Sequence, residues 1–332
     1  MSLFDQPWME DIPNDDVTHM TGLGLESNFS TLGRDRIFYY QRGIYGEISR
    51  PILVLLHGYP QTNFTWRHII PLLPKDIPLF IPDVYGYGRS MGLLTPHDNS
   101  LTCANLLNTL SLHLHPALAS RVPIIFVGHD RGARICHRLA VDATRTSSLN
   151  IVGTILLDIV PTLVQFQSFS TPSSSVSTFH WPFLANVELA SEMIGAFGGD
   201  NWVRMCIDRW AGKDKKSLAS LKSDKAVDVY AQFFKKPSVI HHSCDDYRAG
   251  SNEDVKKQEK DQKAGRKIDI DVLVLYSADY LGKRYDVKKV WEEWMGKGDL
   301  QVQNVGDGCG HFIAEEKPQE CAAAVVKFYE SF

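Results

Sequence analysis

The stretch IIFVGHDRGAR, residues 124–134, is the most informative part of the chain. Four apolar residues typical of a buried strand lead into Gly-x-Asp-x-Gly, and a helical pattern follows. This is the frame of a nucleophile elbow, in which glycines two positions before and after the central residue allow a sharp turn from strand to helix. The pattern predicts that Asp130 projects above a sheet at a helix N-terminus, where a negative charge is favoured.

Asp130 takes the position that serine usually holds in such an elbow. A carboxylate is not usefully acylated by an ester, but it can attack an sp³ carbon that bears a leaving group and form an alkyl-enzyme ester. The residue type therefore changes the expected class of reaction. The alternative is that Asp130 only caps the helix, a role that aspartate performs well. The flanking glycines favour the nucleophile.

Short apolar runs separated by glycine and proline occur on both sides of this elbow and predict strands. They are Arg36 to Gln41, Ile52 to Leu56, Leu79 to Ile81, Ile124 to Val127, Gly153 to Leu157 and Val272 to Tyr276. Three of the runs in the first half are almost entirely apolar, and helix-length segments such as 99–115 and 132–144 lie between them. We therefore predict an α/β fold with a mostly parallel central sheet and helices on both faces.

The segment from about Leu163 to Gly250 has a different character. It is serine-rich at first, then aromatic and amphipathic, and it contains no convincing strand. We interpret it as a helical insertion. The predicted organisation is an N-terminal arm at 1–30, an α/β core at 31–162 and 250–332, and a helical cap domain at 163–249. The arm is a candidate contact with a partner subunit.

Composition argues against several classes of function. The 332 residues carry 35 lysines and arginines against 39 aspartates and glutamates, a net charge of −4, without a basic block that could follow a phosphate backbone. We therefore expect no nucleic-acid partner. Six cysteines without a C-x-x-C pair argue against a disulfide framework or a zinc site. No apolar run reaches membrane-spanning length and no signal peptide is recognisable, so we expect no membrane association and a cytoplasmic location.

A second segment, HGYP at residues 57–60, ends a predicted strand upstream of the elbow. In such a position a backbone N–H can face the elbow. The N–H groups of Tyr59 and Arg131 would then form an oxyanion hole for the tetrahedral intermediate that arises when an ester of Asp130 is hydrolysed. The tetrapeptide is a weak signal alone and gains weight from its place in the chain.

Hydrolysis of that ester needs a base and an acid that orients it. His311 follows a predicted last strand and a glycine-rich turn, which is where the base of such a site is expected. Two carboxylates at the ends of predicted strands, Asp158 and Asp279, are candidates for the acid. Chain order alone does not choose between them.

A set of short motifs extends from about Asp35 to the C-terminus. They are His57-Gly58-Tyr59-Pro60-Gln61-Thr62, Gly86-Tyr87-Gly88-Arg89-Ser90, the elbow through Arg134, Leu157-Asp158-Ile159, His180-Trp181, Asp245-Asp246-Tyr247-Arg248-Ala249-Gly250 and Gly310-His311-Phe312. Together they resemble the haloacetate (fluoroacetate) dehalogenases of the α/β-hydrolase fold. The elbow and the His-Gly-x-Pro motif are shared with epoxide hydrolases, whereas the Asp-Arg-Gly-x-Arg and His-Trp elements are more selective.

The resemblance implies a role for each matching position. It favours Asp158 as the acid that orients His311. It also implies that Arg131 and Arg134 hold a substrate carboxylate, for which a guanidinium is suited because it forms two parallel hydrogen bonds with that group. The implied halide pocket consists of three hydrogen-bond donors that stabilise the leaving halide: His180, Trp181 and Tyr247.

The activity implied by the resemblance is hydrolytic dehalogenation of a short 2-haloacid to the 2-hydroxy acid and halide. It would proceed through an ester of Asp130 that is hydrolysed by water activated by His311. This chemistry requires no metal or organic cofactor, and the expected partner is the small haloacid itself. Relatives of this architecture are often dimers, so a homodimer is one expectation.

The sequence departs from the resembled family at the rim of the expected pocket. Tyr59 stands where many relatives have phenylalanine, Val84-Tyr85 replaces a more usual Leu-Pro, and the residues at 163–165 lack the expected aromatic side chains. These changes bear on substrate size and halogen preference more than on mechanism.

Two other functions fit part of the pattern. An epoxide hydrolase uses the same nucleophile, base and oxyanion hole, with cap tyrosines such as Tyr230 and Tyr247 protonating the opening ring. Against it, Arg131 stands where epoxide hydrolases commonly have tryptophan, and an uncharged epoxide has no use for an arginine pair. A non-catalytic α/β-hydrolase that binds a small acid would keep the arginines but would need no intact triad.

Overall fold

The structure is a computed structural model that describes residues 14–32, 35–45, 48, 50–92, 98–114, 121–146 and 149–332. The bounds of its strands are β1 Glu26–Leu32, β2 Asp35–Arg42, β3 Ile52–Leu56, β4 Leu79–Pro82, β5 Pro123–His129, β6 Asn150–Leu157, β7 Asp271–Tyr276 and β8 Leu300–Asn304. Within the described ranges these strands form one sheet in the order β1-β2-β4-β3-β5-β6-β7-β8. Strands β3 to β8 run parallel, and β1 and β2 are antiparallel to their neighbours. The predicted mostly parallel α/β sheet is confirmed.

Helices alternate with these strands. Their bounds are α1 Asp15–Gly22, α2 Asn99–His113, α3 Arg131–Thr146, α4 Thr162–Gln167, α5 Pro172–Ser177, α6 His180–Leu184, α7 Val187–Phe197, α8 Gly199–Trp210, α9 Lys215–Lys222, α10 Ala226–Phe233, α11 Pro237–Ala249, α12 Val255–Lys263, α13 Val287–Glu292, α14 Ile313–Glu316 and α15 Pro318–Tyr329. None of these described helices is long and apolar enough to cross a membrane.

The central strands are hydrophobic because both faces of the sheet are covered. Every residue of β3 is buried, as are all residues of β5 after Pro123. Helix α3 packs against β5 and β6. A parallel sheet that is buried on both sides favours nearly continuous apolar strands, which explains why the predicted strands lack alternation.

The chain between β6 and β7 is helical, as the sequence predicts, and runs through α4 to α12. Helix α11 passes directly into a π-helical turn at Gly250–Asp254 and then into α12. The helical region therefore continues beyond residue 249, the predicted end of the cap. The division into a core and a cap domain with those limits stays a prediction.

The predicted N-terminal arm at 1–30 lies partly outside the described residues. Its described part does not extend away from the fold, because 26–32 pair with β2 as an edge strand. The buried Asp16 of α1 forms an ion pair with Arg89. These contacts attach residues 14–30 to the sheet. The six cysteines are buried and form no disulfide.

Candidate active site

The predicted elbow is present. Strand β5 ends at His129, Asp130 occupies the turn, and α3 begins at Arg131. Asp130 has a φ of +48°, a left-handed conformation that costs energy for a residue with a side chain and is typical of strained turns at functional sites. Gly128 and Gly132 permit the turn, because a Cβ on them would approach backbone atoms to 2.4 and 2.2 Å.

His311 lies between two carboxylates. Its Nδ1 is 2.7 Å from Oδ2 of Asp158, and its Nε2 is 3.4 Å from Oδ2 of Asp130. Asp158 follows β6 directly, and its other oxygen accepts hydrogen bonds from the Ser277 N–H at 2.9 Å and the Ser277 hydroxyl at 2.6 Å. The structure thus brings together the three residues that the sequence assigns to a nucleophile, a base and an acid.

The second candidate acid, Asp279, does not contact His311. It accepts a hydrogen bond from the Gly308 N–H at 2.7 Å and forms an ion pair with Lys283 at 2.7 Å. Its side chain is 39% exposed, whereas that of Asp158 is fully buried. Of the two alternatives left open by chain order, only Asp158 is placed to orient the imidazole.

The protonation states of Asp130 and His311 depend strongly on each other. Burial acts to raise the pKa of Asp130, but the hydrogen bond to His311 and the positive charges of His311 and Arg134 outweigh it, so that the pKa lies well below its ordinary value. Burial lowers the pKa of His311, but the hydrogen bonds to Asp130 and Asp158 outweigh this effect and raise it to about 9. Near neutral pH the site therefore holds the Asp130 carboxylate beside an imidazolium.

A backbone amide faces the carboxylate of Asp130. The Tyr59 N–H donates to Oδ1 of Asp130 at 2.9 Å. The amide of Arg131, the other predicted member of the oxyanion hole, belongs to the first residue of α3, immediately after Asp130. The side-chain hydroxyl of Tyr59 accepts a hydrogen bond from the Trp202 indole N–H.

The two arginines that the sequence assigns to one role differ in their surroundings. The Arg131 guanidinium donates to Asn99 and forms an ion pair with Asp246 at 2.9 Å. The Arg134 guanidinium lies 4.4 Å from the ring centre of Trp181 and donates to the Val160 carbonyl and the Thr162 hydroxyl, each at 3.2 Å. Among the residues that the structure describes, no carboxylate lies within ion-pair distance of Arg134.

A cavity of about 330 Å³ opens beside Asp130. Nine residues from the elbow and the helical insertion line it: Asp130, Arg131, Arg134, Thr162, Trp181, Asp246, Tyr247, Gly250 and Asp254. The rings of Trp181 and Tyr247 meet edge to face, with their centres 5.2 Å apart. Two of the three predicted halide donors therefore share the cavity with the nucleophile.

The third predicted halide donor, His180, is not among the residues that line this cavity. Its ring lies 4.5 Å from that of Trp210 and 6.2 Å from that of Tyr247, measured between centres. Burial lowers the pKa of His180 to about 3, so the imidazole is neutral. Its ring centre lies 6.4 Å from that of Trp181, so His180 is close to the two aromatic side chains that line the cavity.

A profile of the alpha/beta hydrolase family matches residues 53–324. The chain belongs to this family. A solved structure of a protein assigned to the alpha/beta hydrolases from Nostoc sp PCC 7120 is 31% identical in sequence, with a TM-score of 0.76. The similarity covers 92% of this chain and 97% of that one. The sheet order and the helical insertion are therefore those of an α/β-hydrolase fold, as predicted.

Two relatives with assigned activities point to different substrates. A fluoroacetate dehalogenase from Burkholderia sp is 26% identical over 281 residues, which are 84% of this chain and 87% of the relative. A soluble epoxide hydrolase from Corynebacterium sp. (strain C12) is 28% identical over 284 residues, which are 83% of this chain and 89% of the relative. The protein is a hydrolase, and these similarities are too nearly equal to choose its substrate.

Four residues of this hydrolase line the cavity without a role predicted from the sequence: Thr162, Asp246, Gly250 and Asp254. Asp254 accepts hydrogen bonds from the Asn99 N–H at 2.9 Å and the Asn99 amide at 2.8 Å, and burial raises its pKa to about 7. A signal was available for Gly250 alone, because positions 247 and 250 have the i, i+3 spacing that aligns residues along one helix face; Asp254 follows through the π-helical turn.

Proposed function

We propose that this hydrolase removes halide from a short 2-haloacid and forms the 2-hydroxy acid. The observation that carries the proposal is Arg134, a buried cation that lines the same cavity as the Asp130 carboxylate and has no ion-pair partner among the described residues. A buried charge is costly unless it is compensated. A substrate carboxylate supplies the missing anion and pairs with the guanidinium through two hydrogen bonds.

Binding in this way sets up the first step. With its carboxylate on Arg134, a 2-haloacid presents its halogen-bearing carbon to Asp130. An oxygen of Asp130 attacks that carbon, the carbon–halogen bond breaks, and the halide leaves with the bonding electron pair. Trp181 and Tyr247 carry the indole N–H and phenol O–H suited to receive the halide, and the neighbouring His180 is the third donor proposed for it.

The second step hydrolyses the ester. His311 takes a proton from water, and the resulting oxygen nucleophile adds to the carboxyl carbon of the Asp130 ester. The amides of Tyr59 and Arg131 stabilise the oxyanion. When this intermediate collapses, the imidazolium returns the proton to the leaving alkoxide, and the 2-hydroxy acid departs. Asp130 is left as a carboxylic acid and passes its proton to His311, which restores the carboxylate beside the imidazolium.

The raised pKa of His311 fits this order of events. In the free protein the imidazole is held as a cation by Asp130 and Asp158. Ester formation converts the Asp130 carboxylate into a neutral group, which removes one of the two charges that raise the pKa. His311 then loses its proton more readily, so the base becomes available after the first step has occurred.

The walls of the cavity favour a small substrate. They include the large side chains of Trp181, Tyr247 and the two arginines, which leave little room beside Asp130. Residues 163–165 lack the aromatic side chains expected from the resembled family, but the adjacent Phe166 packs edge to face on Trp181 at 5.3 Å between ring centres. Haloacetates are therefore the substrates to test first.

An epoxide hydrolase is the second candidate, and the similarity to the Corynebacterium enzyme favours it. Such an enzyme needs an acid for the opening ring, and Tyr247 lines the cavity. Tyr230, the other tyrosine considered for this role, donates its hydroxyl to Glu315 at 2.8 Å and does not line the cavity. This arrangement, together with Arg134, supports the haloacid over the epoxide.

Halide release tests the proposal directly. Wild type and Asp130→Asn are each incubated with fluoroacetate, chloroacetate and bromoacetate, and with styrene oxide as the uncharged control. We expect halide release and glycolate from the wild type alone. Epoxide opening without halide release would establish the second candidate. Binding of haloacetate without turnover of any substrate would identify a small-acid-binding protein.

A further inference from the structure

Glu316 is a buried carboxylate that lies outside the reacting groups. Its side chain is 3% exposed, and both of its oxygens accept hydrogen bonds from backbone amides. Oε2 accepts from the N–H groups of Gly310 and Gly212, each at 2.8 Å, and Oε1 accepts from the N–H of Phe312 at 3.0 Å. No side-chain cation forms an ion pair with it among the described residues.

Two of these three amides belong to the immediate neighbours of the base. Gly310 precedes His311 and Phe312 follows it, so Glu316 fixes the peptide groups on both sides of this residue. The third amide, of Gly212, belongs to the segment of the helical insertion between α8 and α9. One carboxylate therefore joins the loop that carries the imidazole to the insertion above it.

Further backbone contacts hold the same loop. The His311 N–H donates to the Trp210 carbonyl at 2.9 Å, and the His311 carbonyl is 2.8 Å from Nε2 of His129. Gly310 permits this close approach, because a Cβ there would lie 2.2 Å from the Trp210 oxygen. Hydrogen bonds to Trp210 and His129 thus fix the His311 backbone itself, and hydrogen bonds to Glu316 fix the residues on either side of it.

The neighbouring Glu315 provides a contrast. It is equally buried, but its partners are the side chains of Arg67, Tyr230 and Gln61. Burial of a carboxylate is compensated there by a cation, whereas Glu316 is compensated only by amides that surround the base. A misplacement of about 1 Å at a catalytic group can lower the rate by about 100-fold. Hydrogen bonds that hold the backbone around His311 in place can therefore affect the rate.

We propose that Glu316 is a positioning residue that sets the His311 imidazole between Asp130 and Asp158 and ties this arrangement to residues 210–212 of the helical insertion. The proposal rests on the proposed function where it treats His311 as the base for ester hydrolysis. It goes beyond that function because it assigns the alignment of the base to a carboxylate that contacts neither substrate nor imidazole.

The test compares Glu316→Gln with the matched control Glu315→Gln. The glutamine oxygen can replace one carboxylate oxygen, but the amide NH₂ then faces a backbone N–H, so the contacts on both sides of His311 cannot all be kept. The control removes a buried charge from the adjacent position and leaves those contacts in place. Both variants are expected to lose stability, so stability alone decides nothing.

The first readout needs no substrate. Titration of the His311 ring by NMR, assigned with the His311→Asn variant, gives its pKa in each protein. We expect Glu316→Gln to lower this pKa from about 9 towards 6.5, because the contacts with Asp130 and Asp158 loosen, and Glu315→Gln to leave it unchanged. An unchanged pKa in Glu316→Gln would overturn the proposal.

The second readout is the fraction of protein that carries the ester during turnover of chloroacetate, measured by intact mass. We expect Glu316→Gln to slow ester hydrolysis by about 10- to 100-fold while chloride still appears in the first turnover, so that the adduct accumulates. An equal slowing of both steps would contradict positioning of the base. If wild type releases no halide, the proposed function fails and the titration alone decides the role of Glu316.

If Glu316→Gln does not fold, Glu316→Asp takes its place. This variant keeps the negative charge but shortens the side chain by one methylene group. The same pKa and adduct measurements apply, with the same expected directions. If neither Glu316 variant folds while Glu315→Gln does, the carboxylate is needed for the structure itself and the proposed positioning role is overturned.

Discussion

The guanidinium of Arg131 lies 2.9 Å from the carboxylate of Asp246, whereas Arg134, one helical turn later, has no such partner among the described residues. Both guanidinium groups are cations, but they differ in how far their charge is compensated. Asp246 compensates the charge of Arg131, whereas Arg134 has no ion-pair partner of this kind among the residues described at the wall of the cavity. We therefore expect binding of an anionic substrate to depend mainly on Arg134.

Replacement of Arg134 by glutamine is expected to lower kcat/KM for chloroacetate by about 30-fold, which corresponds to about 2 kcal/mol for a lost hydrogen bond to a charged group. Most of the effect should appear in KM. Arg131→Gln should instead lower the free energy of unfolding by about 3–5 kcal/mol, because it leaves Asp246 buried without its cation. Steady-state kinetics and urea unfolding of both variants measure this difference. Equal losses of substrate affinity with intact stability would contradict it.

The elbow and its partners could be located from the sequence because they depend on local chemistry. Gly128 and Gly132 flank Asp130 at fixed positions, and His311 follows a glycine-rich turn after a strand. These signals depend on spacing within a few residues. Chain order does not distinguish Asp158 from Asp279, because that choice depends on which strand end faces the imidazole in three dimensions.

The electrostatic environment of the site could not be predicted in the same way. The partner of Arg131, Asp246, lies more than 100 residues away in the helical insertion, and Glu316 acts through backbone amides that have no side-chain signature. The spatial relation between the predicted halide donors also comes from the structure: Trp181 and Tyr247 line the cavity, and the ring centre of His180 lies 6.2 Å from that of Tyr247. Such pairings arise only when distant segments pack together.

A variant without the base should trap the intermediate. We expect His311→Asn to release one equivalent of halide from bromoacetate and then stop, because Asp130 can still attack while no group activates water. Intact mass measurement should detect a protein heavier by one carboxymethyl group, located on the peptide that contains Asp130. The double variant that also carries Asp130→Asn is the control and should remain unmodified. Absence of an adduct in the single variant would argue against covalent catalysis.

The two candidate acids provide a matched comparison. Asp158→Asn should reduce turnover by about 10³- to 10⁴-fold, since it removes the charge that orients His311 and stabilises its cation. Asp279→Asn should retain activity close to that of the wild type, because its partners are Gly308 and Lys283 at the surface. Rates of fluoride or chloride release measure both variants. Comparable losses in the two would show that the acid is assigned wrongly.

The pH dependence of stability should report the charge on His311. Its folded pKa of about 9 lies above the ordinary 6.5, so its stabilising effect is fully present below pH 6.5 and is lost as the pH rises through 9. We expect the wild type to lose on the order of 2 kcal/mol between these pH values. Asp130→Asn should lose less, because removing this carboxylate lowers the pKa of His311. Urea unfolding at the two pH values tests this, and identical losses in both proteins would contradict it.

The rate of halide release should depend on Tyr247, and the dependence should be stronger for a poorer leaving group. Fluoride is a poor leaving group, so it needs more stabilisation by hydrogen bonds than bromide does. We therefore expect Tyr247→Phe to slow defluorination of fluoroacetate by about 10- to 100-fold and debromination of bromoacetate much less. Tyr230→Phe is the control, since its hydroxyl contacts Glu315, and it should leave the ratio of the two rates unchanged. Equal slowing of both substrates by Tyr247→Phe would remove this residue from the halide site and would favour a role as a general acid in epoxide opening.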